Sequence, residues 1–344
     1  KAASMTTHSH GFWQLAGKRL LADKVARICG TILIAYFLLA LASALGLIAS
    51  DWNEEVGVSY ANPSFMADAP NPQGENSRFK TEQHSVDAET RAIDPLAPYY
   101  ADIDQGAKAY ETSAKPLSWS LPLGGDKWGR DVLQKAIKAG QVSIGVGLAA
   151  ALLAVSIGTL LGATAGYFGG RVNDVLEWVY NVFTSVPYIL LVLAFAAVLG
   201  KGISTVILVL GLTGWTGCYR LIRSEYIKQR SREYVEAAGA IGASTPRIMF
   251  SHILPNVSHL ILVQLSQMVV EFIKAEVILS FLGFGVPVEL ISWGSMINEV
   301  LSELVLGKWW QLATTALLMS TFVVAFGLFT DVLRDALDPK MKRN

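Results

Sequence analysis

Hydrophobic positions in this chain gather into long blocks separated by polar stretches. Runs of membrane length, judged against the roughly 20 apolar residues that cross a bilayer, fall at 28–50, 142–167, 175–199, 203–219, 256–286 and 309–329. The pattern predicts six transmembrane helices. The boundary between the third and fourth rests on Gly200-Lys201-Gly202 alone, so a count of five stays open. Residues 51–123 are polar, carry Pro63, Pro70, Pro72, Pro95, Pro98, Pro116 and Pro122, and show little helical period before Asp94. They predict an irregular, partly disordered insert outside the membrane. Its Tyr99, Tyr100, Tyr110 and Trp119 are expected either to pack on the membrane part or to face a soluble receptor.

Between the fourth and fifth runs lies a small-residue segment that starts at Glu233 and ends at Pro255. Glu233 and Glu236 suit the positive end of a helix dipole, and Tyr234, Ala237, Ala238 and Ile241 recur at helical spacing as one narrow apolar stripe. Such a helix is too short and too polar to span; it predicts a docking element that a partner approaches closely. Thr245-Pro246 is expected to bend this segment, and Pro255 to start the fifth span in its first turn, where no donor is needed.

Charge gives the orientation. Lys18, Arg19, Lys24 and Arg27 precede the first span, Arg171 follows the second, and Arg220, Arg223, Lys228, Arg230, Arg232 and Arg247 follow the fourth. Arg334, Lys340, Lys342 and Arg343 follow the last. With six spans all these clusters fall on one side, which places both termini and residues 233–255 in the cytoplasm; five spans spoil that agreement. The formal net charge of +0 conceals the asymmetry, and no nucleic-acid patch is implied. Hydrophobic residues make up 52% and charged residues 16% of the 344, which suits a membrane protein with a polar insert. Met5, preceded by Lys1–Ser4, is expected to be the native start, and the first apolar run to stay as an anchor and not be cleaved as a signal peptide.

Little in the chain points to catalysis. No GxxxxGK[ST] phosphate loop occurs, so ATP is not expected to be hydrolysed by this chain. His8 and His10 are terminal, His84 lies in the insert, and His252 and His259 match no zinc-binding spacing, so no metal site is expected. GxSxG is absent. Cys29 and Cys218 sit in or at the edge of apolar runs and read as small buried hydrophobes. The exceptional residues are Glu271, Lys274 and Glu276, inside the fifth span, where a charge costs about 2.5–3.5 kcal/mol on insertion scales. Glu271 and Lys274 are three apart and can neutralise one another on one face. Two readings stay open: burial of that pair against other helices, or a place on a water-filled path where it meets the ends of a peptide.

Several motifs in order carry a family resemblance. Glu236-Ala237-Ala238, Gly239 and Gly242, then Arg247 and His252-Ile253-Leu254-Pro255, resemble the cytoplasmic coupling loop of ATP-binding-cassette importer permeases, whose short helix fits a cleft in the ATPase. Gly124, Asp126, Gly129, Arg130 and Asp131 are similar to the motif before the transport core in the C-type subunits of dipeptide and oligopeptide permeases, with Gly125 in place of threonine. Asp126 is placed to cap the helix that follows, and Arg130 with Asp131 either shapes a turn or serves transport. Gly166-Tyr-Phe-Gly-Gly170 joins the second and third spans, Ser280-Phe-Leu-Gly-Phe-Gly285 with Trp293-Gly294 marks the exit of the fifth, and Leu333-Arg-Asp-Ala-Leu-Asp-Pro339 ends the sixth. Residues 51–122 carry no resemblance.

The resemblance implies an all-α membrane protein with six transmembrane helices, a type I importer permease core with a long extracytoplasmic insert after the first helix. Its segments are a cytoplasmic start (1–27), an anchor helix (28–50), the insert (51–123), a core of five helices (124–330) with a coupling helix at about 233–250, and a cytoplasmic tail (331–344). It further implies a bacterial inner-membrane peptide permease paired with a second permease subunit and two ATPase subunits that bind ATP and magnesium. A soluble extracytoplasmic binding protein delivers the peptide. Glu236, Ala237, Ala238, Gly239, Gly242, Arg247, His252, Leu254 and Pro255 are its coupling residues, and Glu276 its packing or gate glutamate. Arg247 is expected either to meet an acidic ATPase residue or to remain solvated. A nickel-chelate or other small-solute permease shares these motifs and stays open. An ion-driven secondary transporter and a membrane scaffold are disfavoured, the first because no broken-helix repeat is traced, the second because a scaffold needs no intramembrane charges.

Overall fold

The computed structural model describes residues 12–66, 99, 102, 117–287 and 289–337. Tyr100, Tyr110, most of the insert's prolines, His8, His10, His84, Pro339 and the tail cations Lys340, Lys342 and Arg343 lie outside them. Apart from one short strand pair the described chain is helical: α1 (Phe12–Ala22), α2 (Lys24–Ala44), β1 (Gly57–Pro63), β2 (Ser118–Leu121), α3 (Val132–Phe168), α4 (Gly170–Thr184), α5 (Tyr188–Leu199), α6 (Ile203–Arg230), α7 (Glu233–Ala240), α8 (Thr245–Phe281), α9 (Trp293–Val305) and α10 (Trp310–Leu337). Five helices, α2, α3, α6, α8 and α10, are long and apolar enough to cross a membrane. The α4–α5 pair makes a sixth crossing if it is counted as one span.

The third apolar run departs from its sequence reading. It is not one straight helix: α4 and α5 are bent by 85° at a break. Pro187 has no N–H to continue the ladder, and the residue before a proline is pushed out of helical geometry. Ser185 therefore caps α4 through its N–H to the Asn181 carbonyl, and the Pro187 carbonyl opens α5 by accepting from Leu190 and Leu191. The Gly200-Lys-Gly turn, by contrast, joins α5 to α6 as a helical hairpin where the sequence places it.

Two compact units divide the chain, residues 51–133 and the rest. In the smaller one, β1 and β2 pair in parallel, so the two ends of the insert are laced together. The motif after β2 completes that unit. The Asp126 carboxylate accepts from the N–H groups of Trp128 (2.8 Å) and Arg130 (3.0 Å), closing a turn, and the Gly129 carbonyl accepts from Val56 and Gly57 of the first strand. Gly129 has φ +73°, and a Cβ there would overlap the Gly57 carbonyl, so only glycine fits. The Arg130 guanidinium lies over the Trp52 ring at 5.9 Å. Asp126 does not cap the following helix. Asp131, immediately before α3, does so by accepting from the Leu133 N–H at 2.8 Å.

In the larger unit α3 approaches α6 and α8 closely. Gly158, Gly162 and Gly166 form a stripe at i, i+4 and i+8 that lets α6 approach to backbone contact. A Cβ on Gly162 would lie 2.7 Å from the Tyr219 carbonyl, and one on Gly158 equally close to that of Trp215. Gly166 thus serves helix packing inside α3, and the turn into α4 falls to Gly169 and Gly170. Gly147 meets Ile273 of α8 in the same way. On the other flank α2 packs along α10: the Tyr36 hydroxyl donates to the Leu318 carbonyl at 2.9 Å, and Tyr36 and Phe37 ring Phe322. Both cysteines are buried and free, as small hydrophobes.

Replacing Gly162 by leucine should cost about 1–3 kcal/mol of packing energy and lower the melting temperature of the membrane-embedded chain. Gly145→Leu on the same helix, where a Cβ meets nothing within 4 Å, should not. Equal melting temperatures for the two variants would contradict the close-approach account.

Candidate functional site

The short helix α7 forms because Arg232 is extended and stops α6, and Glu233 and Glu236 then occupy the first turn of a new helix. Val235 and Ala238 are buried, on the end of α6 and the first turns of α8, while Glu233, Tyr234, Glu236, Ala237, Gly239 and Ala240 are exposed. Ile241 is 87% exposed, which is unusual for an isoleucine at a tight turn. The stripe read from the sequence is corrected in one place: Ala238 faces inward with Val235, and the outward row is Tyr234, Ala237 and Ile241. The helix ends on Gly242, φ +85°, with the Ala243 N–H bonded to the Ala238 carbonyl and that of Gly242 to Gly239.

The helix therefore stops at Ala240, short of the 233–250 expected. Thr245 begins α8, with Pro246 in its first turn where a missing donor is harmless. Pro255 sits in the first turn of the α-helical stretch Leu254–Phe281, as expected, but the span itself starts earlier, at Thr245. The proline thus lies inside α8, where residues Ile248–Ile253 widen into a π-helical turn that accommodates the proline ring and its missing N–H. Asn256 supplies its side-chain amide to the His252 carbonyl at 2.8 Å. Arg247 is exposed, His252 and Leu254 are half-buried, and none of the three forms an ion pair among the described residues.

Further along α8 the three charged residues separate into two kinds. Glu276 is fully buried; its carboxylate accepts from the hydroxyls of Ser143 on α3 (2.7 Å) and Ser280 (2.6 Å). Each serine is itself tied onward. Ser143 accepts from the Trp293 N–H at 3.1 Å, and Ser280 from the Val286 N–H at 3.2 Å. One carboxylate thus fastens α3, the end of α8, the loop after it and the start of α9. Gly294 packs on the Val277 backbone at a distance that leaves no room for a Cβ, which accounts for the Trp293-Gly294 pair. Beside this knot, Lys135, fully buried, pairs with Glu299 on α9, and Gln311 donates to the same carboxylate at 3.4 Å.

Glu271 and Lys274 are exposed and no ion pair joins them, so neither is buried by neutralising the other. With Gln264 and Gln267 they stand at spacings of three, four and three, a polar stripe on one face of a membrane-length helix. Tyr188, at the start of α5, lies beside Thr213 and Glu271, so the bend at Pro187 brings a phenol to the level of that stripe. The sequence reading missed Gln264, Gln267, Tyr188, Lys135, Glu299 and the whole of α9. The glutamines were legible seven and four residues before Glu271, on the same helix face, and α9 was announced by Ser292, whose hydroxyl and that of Ser295 form a capping box.

A family model for the binding-protein-dependent transport system inner membrane component matches residues 158–343, from the glycine stripe of α3 to beyond α10. The chain belongs to that family. The permease is a membrane transport component and not an enzyme. It is 39% identical over 230 residues to the dipeptide transport system permease protein DppC of Bacillus subtilis (strain 168), covering 65% of this chain and 72% of that one. To the oligopeptide transport system permease protein OppC of the same organism it is 35% identical, over 72% of this chain and 81% of the relative. The glutathione transport system permease protein GsiD of Pectobacterium atrosepticum is 34% identical over 64% of this chain and 73% of its own. The family match covers α7, α8 with Glu276 and Ser280, and α9, and begins after the insert and after the first half of α3, where Ser143 and Lys135 lie.

Glu276→Ala removes the acceptor for Ser143 and Ser280 and leaves two buried hydroxyls unpaired, a cost of about 1–3 kcal/mol each. Limited proteolysis between residues 282 and 292 should accelerate strongly in that variant and much less in Glu276→Gln, which keeps an acceptor and the shape. Equal protection of all three proteins would contradict the knot.

Proposed function

We propose that this permease is one half of the membrane channel of an ATP-driven importer of dipeptides or oligopeptides, with α7 docked in a partner ATPase. The exposed row Tyr234, Ala237 and Ile241 on a helix pinned from behind by Val235 and Ala238 carries the reading. A turn that leaves an isoleucine 87% exposed is completed by a partner surface. The relatives named for dipeptide, oligopeptide and glutathione transport support the substrate class.

In this reading both termini and α7 are cytoplasmic, as the cationic clusters indicate, and the insert of residues 51–123 is extracytoplasmic, where the soluble binding protein delivers the peptide. Two ATPase subunits bind ATP and magnesium, one beneath this chain and one beneath a second, related permease. The polar stripe Gln264, Gln267, Glu271 and Lys274 faces the path between the two permeases, where the opposite charges of Glu271 and Lys274 suit the amino and carboxyl ends of a peptide. Closure of the ATPase dimer moves α7, and through α8, packed against it, the spans switch from inward-facing to outward-facing.

Gly239 isolates the docking role. It is exposed, helical, and a Cβ on it would meet nothing within 4 Å, so the permease itself tolerates a larger side chain. Gly239→Leu should leave the amount and melting temperature of the membrane-inserted chain unchanged while lowering ATP-dependent peptide uptake at least about tenfold, as a side chain forced into a packed interface does. Gly242→Leu is the less clean variant, because its φ of +85° strains any side chain. Unaltered uptake by Gly239→Leu would remove α7 from the ATPase interface.

A further inference from the structure

A cavity of about 740 Å³ opens between α6, α8 and α10. This lies within the roughly 300–1,000 Å³ of small-ligand pockets. Its polar lining is Arg220 and Ser224 from α6, His259, Gln264 and Gln267 from α8, and Arg334 from α10, and no carboxylate is among the lining residues. Arg220 and Arg334 form no ion pair among the described residues. Their neighbour Arg223 shows the alternative: it is tied to Glu177 at 3.1 Å and to the Asn173 side chain at 2.6 Å, so it is spent on holding α4. Two guanidinium groups on different helices, at one cavity without a counter-charge, select an anion that accepts from both. Gln264 and Gln267 are at once cavity lining and the first members of the polar stripe that continues to Glu271 and Lys274, so the cavity is the α7-side end of that stripe.

We propose that this cavity holds an organic carboxylate, the free C-terminal carboxyl group of a peptide that has passed the stripe, between Arg220 and Arg334, with Gln264 and Gln267 hydrogen-bonded to the peptide amides. The inference rests on the peptide-import reading. The amide side chains on the face that carries Glu271 and Lys274 suit a hydrated peptide, and Leu221, Leu260, Val263 and Leu337 in the same lining offer its side chains an apolar wall. The bound carboxylate delays release and makes the transporter sensitive to peptide accumulated on the α7 side.

The test uses the full chain assembled with its partner permease and ATPases in nanodiscs, without nucleotide and without the soluble binding protein. Trialanine should bind about tenfold more tightly than trialanine amide, the difference that loss of one charge-assisted contact makes. The Arg220→Gln/Arg334→Gln double variant should bind both alike, and Arg220→Lys/Arg334→Lys should recover part of the preference, which controls for misfolding. Equal affinity of acid and amide for the unaltered complex, or a preference that survives the glutamine variant, overturns the proposal. So does native mass spectrometry that finds an anionic phospholipid retained by the unaltered complex and lost from the glutamine variant. ATP-dependent trialanine uptake in proteoliposomes without a carboxylate preference defeats this inference alone; absence of that uptake defeats the import reading and the inference with it.

Discussion

The constraint on which the rest of the molecule depends is the unbroken helical run of α8 from Thr245 to Phe281. At 1.5 Å per residue its 37 residues extend about 55 Å, long enough to cross a bilayer with turns to spare. One end carries the π-helical turn on which α7 sits, and the other ends in the knot around Glu276. The polar stripe lies between. A helix has few soft modes over such a length, so a displacement at α7 is delivered along its axis and is not absorbed by a loop. The one place where the run is locally widened, Ile248–Ile253, is next to α7 and not next to the stripe.

Two sets of polar groups in and beside the membrane-length helices are treated in opposite ways. Glu276, Ser143, Ser280, Lys135 and Glu299 are saturated with partners and immobilise the end of the bundle that α9 closes. Glu271 and Lys274 are exposed, where desolvation would be costly in lipid and is avoided only beside water or a polar partner, and Gln264 and Gln267 are half-buried at the cavity beside them. The first set fixes a frame and the second is left open. Close helix contact at Gly158, Gly162 and Gly166 keeps the frame continuous, because contacts made by backbone atoms slide or part as units and leave no side chains to repack.

Much of this was legible in the sequence, and the failures have specific causes. Apolar run length locates α2, α3, α6, α8 and α10, since membrane crossing depends chiefly on length and hydrophobicity. It does not locate a bend, and the Ser-Val-Pro of α4–α5 sits in a run that stays apolar on both sides of the break. Motif order identified the family, while the direction of Ala238 was misread because four apolar positions on a short helix do not say which of them faces home. Asp126 was taken as the cap because it precedes the helix by a short interval, but capping depends on immediate adjacency, which Asp131 has. Glu276 and Glu271 look alike as letters; only the serines brought in from α3 and the end of α8 make one a fastening and leave the other open.

The most direct measurement of the central claim is disulfide crosslinking from Ala240→Cys, on the exposed side of α7, to a cysteine placed in the cleft of the partner ATPase, in the assembled transporter with and without ATP. The account predicts a crosslink whose yield changes with nucleotide, because α7 is the element through which closure of the ATPases reaches α8. An intact complex that gives no crosslink in either state would contradict it.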